Sequence, residues 1–220
     1  MSYDRIVISS GHGKHIRGAS GVLDEVDEAR KVVEQVAKEL RGRGVDVKTF
    51  HDDTSHDQNT NLHTIVNYHN AQTRDLDVSV HFNAYVETSK PMGTECLYVS
   101  QQGLAGQVAS AIASCGFVNR GPKKRTDLFF LNNTEMPAIL LETCFVDSTA
   151  DAEVYRREFA DICDAVADVL GGKEAGGERP PIEPPTQPDV SARVDIAIAV
   201  EGNVEVTVNG QTIEIVGHGR

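Results

Sequence analysis

No apolar run in this chain approaches the roughly 20 residues needed to span a bilayer. The N-terminus, Met1-Ser-Tyr-Asp-Arg5, enters a strand-like pattern directly. It has neither a basic n-region nor an apolar h-region, so no signal peptide is expected and the chain is expected in the cytoplasm. Basic charge is scarce: 21 Lys and Arg face 33 Asp and Glu, for a formal net charge of −12. That excludes binding to nucleic acid through a basic face and disfavours an anionic membrane surface. Cysteine is scarce too. Cys96, Cys115, Cys144 and Cys163 form no CxxC pair and no zinc-ribbon spacing, which predicts reduced, mostly buried thiols. The remaining composition, 40% hydrophobic and 25% charged over 220 residues, is that of a globular protein with one core and a small appendage.

Strand and helix patterns alternate along the first part of the chain. Arg5-Ile6-Val7-Ile8 opens as a strand. Within Asp24–Arg43 the apolar positions Val32, Val33, Val36, Ala37 and Leu40 lie on one helical face, and Gly42 and Gly44 end it. Val45–Phe50 reads as a strand, His51–Asn61 as a polar loop and Leu62–Gln72 as a helix. Further strands are predicted over Asp77–Val80, Gly93–Ser100, Phe129–Leu131 and Ala138–Leu141, and helices over Leu104–Ser114 and Ala150–Leu170. Such alternation predicts an α/β fold with its sheet covered by helices on both faces. A catalytic domain is expected over 1–170. Residues 171–189, rich in Gly, Pro and Glu, read as a linker. Over 190–220, three alternating segments, Ala192–Val200, Val204–Val208 and Thr212–Val216, read as a small β meander, with Asn209-Gly210 as a hairpin turn. So small a unit rarely folds alone, so dimerisation or docking on the main domain is expected of it, and wall or partner binding is a further possibility.

Three polar residues end three of the buried-strand patterns. His12 follows the first strand in Ser-Ser-Gly-His-Gly, His81 follows Asp77–Val80, and Glu142 follows Ala138–Leu141. Ligands and catalysis collect at the carboxyl ends of strands in open α/β sheets. A zinc hydrolase takes three protein ligands and keeps a fourth position for water. His12 and His81 supply two. Glu25, at the start of the first helix, is the best third ligand, with Asp24, Asp27 and Glu28 as rivals by composition. Glu142 is then the general base that takes a proton from water and returns it to the leaving nitrogen. The other histidines, at 15, 51, 56, 63, 69 and 218, lie in polar or helical stretches or near the chain end, and no chemistry is assigned to them.

Four blocks carry a resemblance. They are Ile6-Val-Ile-Ser-Ser-Gly-His-Gly13, then Gly18-Ala-Ser-Gly21 with Glu25, then Ser79-Val-His-Phe-Asn-Ala84, and Pro137-Ala-Ile-Leu-Leu-Glu-Thr-Cys-Phe145. In this order and spacing, from Arg5 to Leu170, they resemble the zinc N-acetylmuramoyl-L-alanine amidases of the Amidase_3 type. The resemblance implies a single α/β domain with a mostly parallel six-stranded sheet. It implies Zn2+ bound by His12, Glu25 and His81, with Glu142 catalytic. Arg120-Gly121 matches a pair often seen in that family, so Arg120 is expected at the substrate, and Asn83 is expected to face the cleft. The implied substrate is peptidoglycan, cut between N-acetylmuramic acid and L-alanine. Between His81 and Glu142 there is no room for the inhibitory helical insertion of family members that act in cell division. With no signal peptide expected, the chain therefore resembles a phage or prophage endolysin, cytoplasmic until released to the wall. The rival readings are a zinc peptidase acting on stem peptides and a non-catalytic wall-binding module.

Overall fold

A computed structural model describes residues 3–172, 204–208 and 211–215. By its contacts the chain divides into two compact units, Met1–Gly176 and Gly177–Arg220. The first holds a six-stranded sheet in the order β2-β1-β3-β6-β4-β5. Its strands are β1 (Arg5–Ser10), β2 (Asp46–Phe50), β3 (Leu76–Asn83), β4 (Thr94–Tyr98), β5 (Asn119–Lys124) and β6 (Ala138–Phe145). All neighbouring pairs are parallel except β6 and β4. β1, β3 and β6 are buried over nearly their whole length, which is why they read as continuous apolar runs.

Helices cover both faces. α1 (Glu25–Gly42), α3 (Gln102–Ala113) and α5 (Thr149–Gly171) pack on the side where Ile8, Val78, Val80, Ile139 and Leu141 point. Burial of α1 falls on Val26, Ala29, Val33, Val36 and Leu40, the 3.6-residue stripe that its sequence carries. Asp24 caps it by accepting from the Asp27 amide. α2 (Gln58–Asn70) and α4 (Phe129–Asn133) lie on the other face, over a smaller cluster that includes Ile65, Leu97, Phe130 and Leu140. Successive strand side chains alternate between faces. Ser79, His81, Glu95, Leu97, Leu140 and Glu142 therefore share this thinner side, where two short helices leave an opening.

Two sequence expectations need correction. Phe129–Leu131 is not a strand; it opens α4. A short apolar run has no period that separates strand from helix. What decides is the following polar pair: the side chains of Asn132 and Asn133 donate to the carbonyls of Leu128 and Phe129 and close the chain into a turn. The segment read as loop up to Asn61 is already helical from Gln58, because Asp57 caps α2 through the Thr60 amide. β5, Asn-Arg-Gly-Pro-Lys-Lys, gives no alternating apolar signal; it is an edge strand, the one place in a sheet where Pro122 costs no interior hydrogen bond.

In the second unit, β7 (Val204–Val208) and β8 (Gln211–Ile215) pair antiparallel. α5 takes in Gly171, the first residue of the expected linker; the linker from residue 173 on, the expected first meander strand Ala192–Val200 and the Asn209-Gly210 turn lie outside the described residues. No helix among the described residues is long and apolar enough to cross a membrane. No disulfide joins the four cysteines, of which Cys96, Cys144 and Cys163 are buried.

Candidate metal centre and active site

β1 is followed by the outward move to β2 and then by the return to β3 on its other side. This reversal of strand order opens a crevice at the carboxyl ends of β1 and β3. His12 stands just past β1, and His81 lies near the end of β3. The Gly11 amide donates to the Val80 carbonyl at 2.9 Å and ties the two strand ends together. Glycine is required there. A Cβ on Gly11 would lie 1.7 Å from His81 Nε2. Gly18, at φ +68°, is similarly confined: a Cβ would meet the Glu25 carboxylate at 2.3 Å and the His12 ring at 2.6 Å.

Glu25 is the first residue of α1 and is buried. Its Oε1 lies 2.9 Å from His81 Nδ1 and 3.4 Å from His12 Nε2, and it also accepts from the Phe82 amide. Oε2 accepts from the Ala19 amide at 2.7 Å. One donor atom from each of His12, Glu25 and His81 lies within 4.8 Å of the others, and the group can hold a metal ion. The two imidazoles meet edge to face, 4.9 Å apart. The three rivals of Glu25 are engaged elsewhere. Asp24 and Asp27 pair with Arg17, and Glu28 bonds Lys31 and Tyr155.

Electrostatics prepare the cluster for a cation. Burial opposes the charge of Glu25, but the hydrogen bonds and charge of His12 and His81 outweigh it and hold the carboxyl far below its usual range. Burial lowers the His81 imidazole, against the pull of Glu25. Metal ligation needs an ionised carboxylate and an unprotonated imidazole nitrogen, and both shifts run in that direction. His12 Nδ1 is buried without a hydrogen-bond partner.

Glu142 stands beside this cluster. Along the sheet, His81 pairs with Glu142 and Glu142 with Glu95, so one row of three side chains crosses β3, β6 and β4. Burial pushes the Glu142 carboxyl well above its usual range; the charges of Glu25 and Glu95 push the same way, and Arg125 opposes them. Its Oε2 is buried and has no hydrogen-bond partner. Asn83 and Arg120 are joined through Glu95, which accepts from Asn83 Nδ2 at 3.1 Å and from Arg120 Nε at 2.7 Å. The Arg120 guanidinium lies over the Phe145 ring, 4.9 Å from its centre.

The model of the N-acetylmuramoyl-L-alanine amidase family matches residues 6–170. The chain belongs to that amidase family. A Clostridium perfringens relative, described as an uncharacterized 38.4 kDa protein, is 34% identical over 164 residues, or 72% of this chain and 48% of that protein. The endolysin of Bacillus phage SPP1 is 31% identical over 193 residues, 79% of this chain and 69% of its own. Among solved structures, the catalytic domain of the CD27L endolysin targeting Clostridia Difficile superposes with a TM-score of 0.71 at 24% identity, covering 78% of this chain and 99% of that domain. The chain spans about half the length of the Clostridium perfringens relatives it matches.

Around this amidase-family cluster the structure adds residues that the sequence reading missed. Glu95 is the one charged residue of the fully buried β4, which is a usable signal. Arg125 and Asp127 line the same cavity as His12, His81 and Glu142. The run that holds them, Lys123-Lys-Arg-Thr-Asp127, reads in sequence as an ordinary solvated face.

Proposed function

We propose that the chain is a zinc-dependent N-acetylmuramoyl-L-alanine amidase that hydrolyses the amide between muramic acid and L-alanine in peptidoglycan, in an endolysin-like role. The observation that carries this reading is the His12–Glu25–His81 cluster with Glu142 beside it in register, at a strand-order reversal of an amidase-family fold. Zinc held by these three ligands would lower the pKa of a bound water and polarise the scissile carbonyl.

The chain's own residues supply the rest. Glu25 anchors both imidazoles, and its backbone hydrogen bonds fix the carboxylate. Glu142, desolvated and poised with a raised pKa, accepts a proton from the attacking water and passes it to the departing alanine nitrogen. Asn83 and Arg120, joined by Glu95, present polar groups to the substrate at the edge of this row. The match to the Bacillus phage SPP1 endolysin supports the lytic role.

The test is release of new L-alanine amino termini from purified peptidoglycan, with and without a chelator, beside Glu142→Ala. Release that the chelator abolishes, and that the variant loses by at least about 100-fold while keeping zinc, is the expected result. Cleavage at another peptide bond would replace this reading with a stem-peptide peptidase. Wall binding without cleavage by zinc-loaded protein would replace it with a binding module.

A further inference from the structure

A cavity of about 370 Å³ runs from the metal-ligand cluster across the thinner face of the sheet. Its lining is part polar and part apolar. Next to His12 and His81 it is polar, with Ser79 and Glu142. The Ser79 hydroxyl is buried, the residue being 1% exposed, and its oxygen has no hydrogen-bond partner. A buried unpartnered hydroxyl facing a cavity is a group held ready for a ligand. The other walls are apolar: Leu62 and Ile65 from α2, Phe129 and Phe130 from α4, Leu97 and Leu140 from the sheet. Arg125 and Asp127 line it too, their side chains partly open to solvent. Among the described residues lining the cavity, Arg125 is the one permanent cation.

The two sides of a muramoyl-alanine bond differ in a way that these apolar walls can sort. A hexose in the apolar stretch would leave its hydroxyls without partners, at a cost of about 1–3 kcal/mol each. An alanine methyl loses nothing there. The alanine side of the bond is therefore the better match to the apolar walls, with the sugar side toward solvent. The residue after L-alanine in a stem peptide is acidic, and its α-carboxylate occurs either free or amidated. Arg125 is in place to read that difference. Its Nε and Nη2 pair with Asp127 at 2.8 and 2.7 Å, but this pair is 45% and 64% exposed. Exposed ion pairs are weak and exchange partners readily, whereas a carboxylate brought to the mouth of an apolar cavity gains a charge-assisted, geometrically matched fork.

Resting on the amidase reading for the location of the scissile bond, we propose that Arg125 is a specificity residue. It selects stem peptides whose second residue carries a free α-carboxylate over those in which it is amidated.

The probes are the γ-methylamides of N-acetylmuramoyl-L-alanyl-D-glutamate (the isoglutamate form, α-carboxylate free) and of its D-isoglutamine counterpart (α-carboxyl amidated), titrated calorimetrically into zinc-loaded full-length protein carrying Glu142→Ala. Binding of the isoglutamate form at least about 10-fold tighter is expected. Adding Arg125→Gln should bring that ratio to about one, and Arg125→Lys should retain part of it. Equal affinity for the two probes before any change at Arg125 would overturn the proposal, as would a preference that survives Arg125→Gln. Because binding is read without turnover, failure of the amidase reading shows separately. In that case the wild-type protein cuts neither probe at the muramoyl-alanine bond, whatever the binding ratio.

Discussion

Glu142 carries a cost that its position explains. An acid whose pKa is raised on folding stabilises the fold only where both states hold the proton. That contribution is complete below the ordinary carboxylate range and is lost as pH rises through the folded pKa. Burial and the charges of Glu25 and Glu95 raise Glu142 in this way. Metal-free Glu142→Gln protein should therefore melt higher than wild type at pH 8, and the difference should vanish near pH 4. Equal melting temperatures at both pH values, measured by circular dichroism, would show that burial of Glu142 imposes no cost. Gly11 is the second residue-scale case. Gly11→Ala places a methyl group in the space of the His81 ring. It should weaken zinc binding at least about 10-fold in a competition titration, with Glu25 and His12 unchanged.

At the scale of elements, two devices hold the strand ends in place. Asp24 caps α1 and so fixes the turn that presents Glu25. Asp24→Ala should cost about 1 kcal/mol in urea unfolding and should also lower zinc affinity, because the first turn of α1 carries Glu25, the proposed third ligand. The second device is buried between α2 and the sheet. Ser9 Oγ lies 2.9 Å from His69 Nε2, His69 Nδ1 lies 2.8 Å from Asp77 Oδ1, and Arg74 bonds both Asp77 oxygens. The order serine, histidine, aspartate resembles a nucleophilic triad, but Ser9, His69 and Asp77 have no exposed surface. Their work is to tie β1, β3 and α2 together behind the metal cluster. Asp77→Asn would leave Arg74 buried without its counter-charge and should cost about 3–5 kcal/mol, read as a lower urea midpoint. The neighbouring Ser10 makes a similar link, with its hydroxyl 3.0 Å from His51 Nδ1.

At the scale of the molecule, the first unit closes on itself. The Tyr3 amide donates to the Leu170 carbonyl at 3.0 Å, so the start of the sheet meets the end of α5. A chain ending at Gly172 should consequently keep the thermal midpoint and zinc stoichiometry of the full protein, measured by calorimetry and elemental analysis. A fall of more than a few degrees would show that the second unit stabilises the first. The dimer expected of the C-terminal meander falls largely on residues outside those described, and a comparison of solution mass between the two chains tests it.

Much of this protein was legible locally. The strands β1, β3 and β6 are buried over nearly their whole length, so the apolar runs before His12, His81 and Glu142 stand out, although β3 and β6 continue past His81 and Glu142 to Asn83 and Phe145. The apolar stripe of α1 and the acidic residue at its start were equally local signals. Tertiary structure alone decided the rest. It selected Glu25 from four neighbouring acids, because only Glu25 reaches both imidazoles while the others meet Arg17, Lys31 or Tyr155. It aligned Glu95 with Glu142 and joined Asn83 to Arg120, since cross-strand neighbours are set by sheet order and not by distance along the chain. Arg125 became part of the cavity for the same reason. A charge looks solvated in sequence, and only the packing of β5 and α4 against the sheet brings it beside a buried carboxylate.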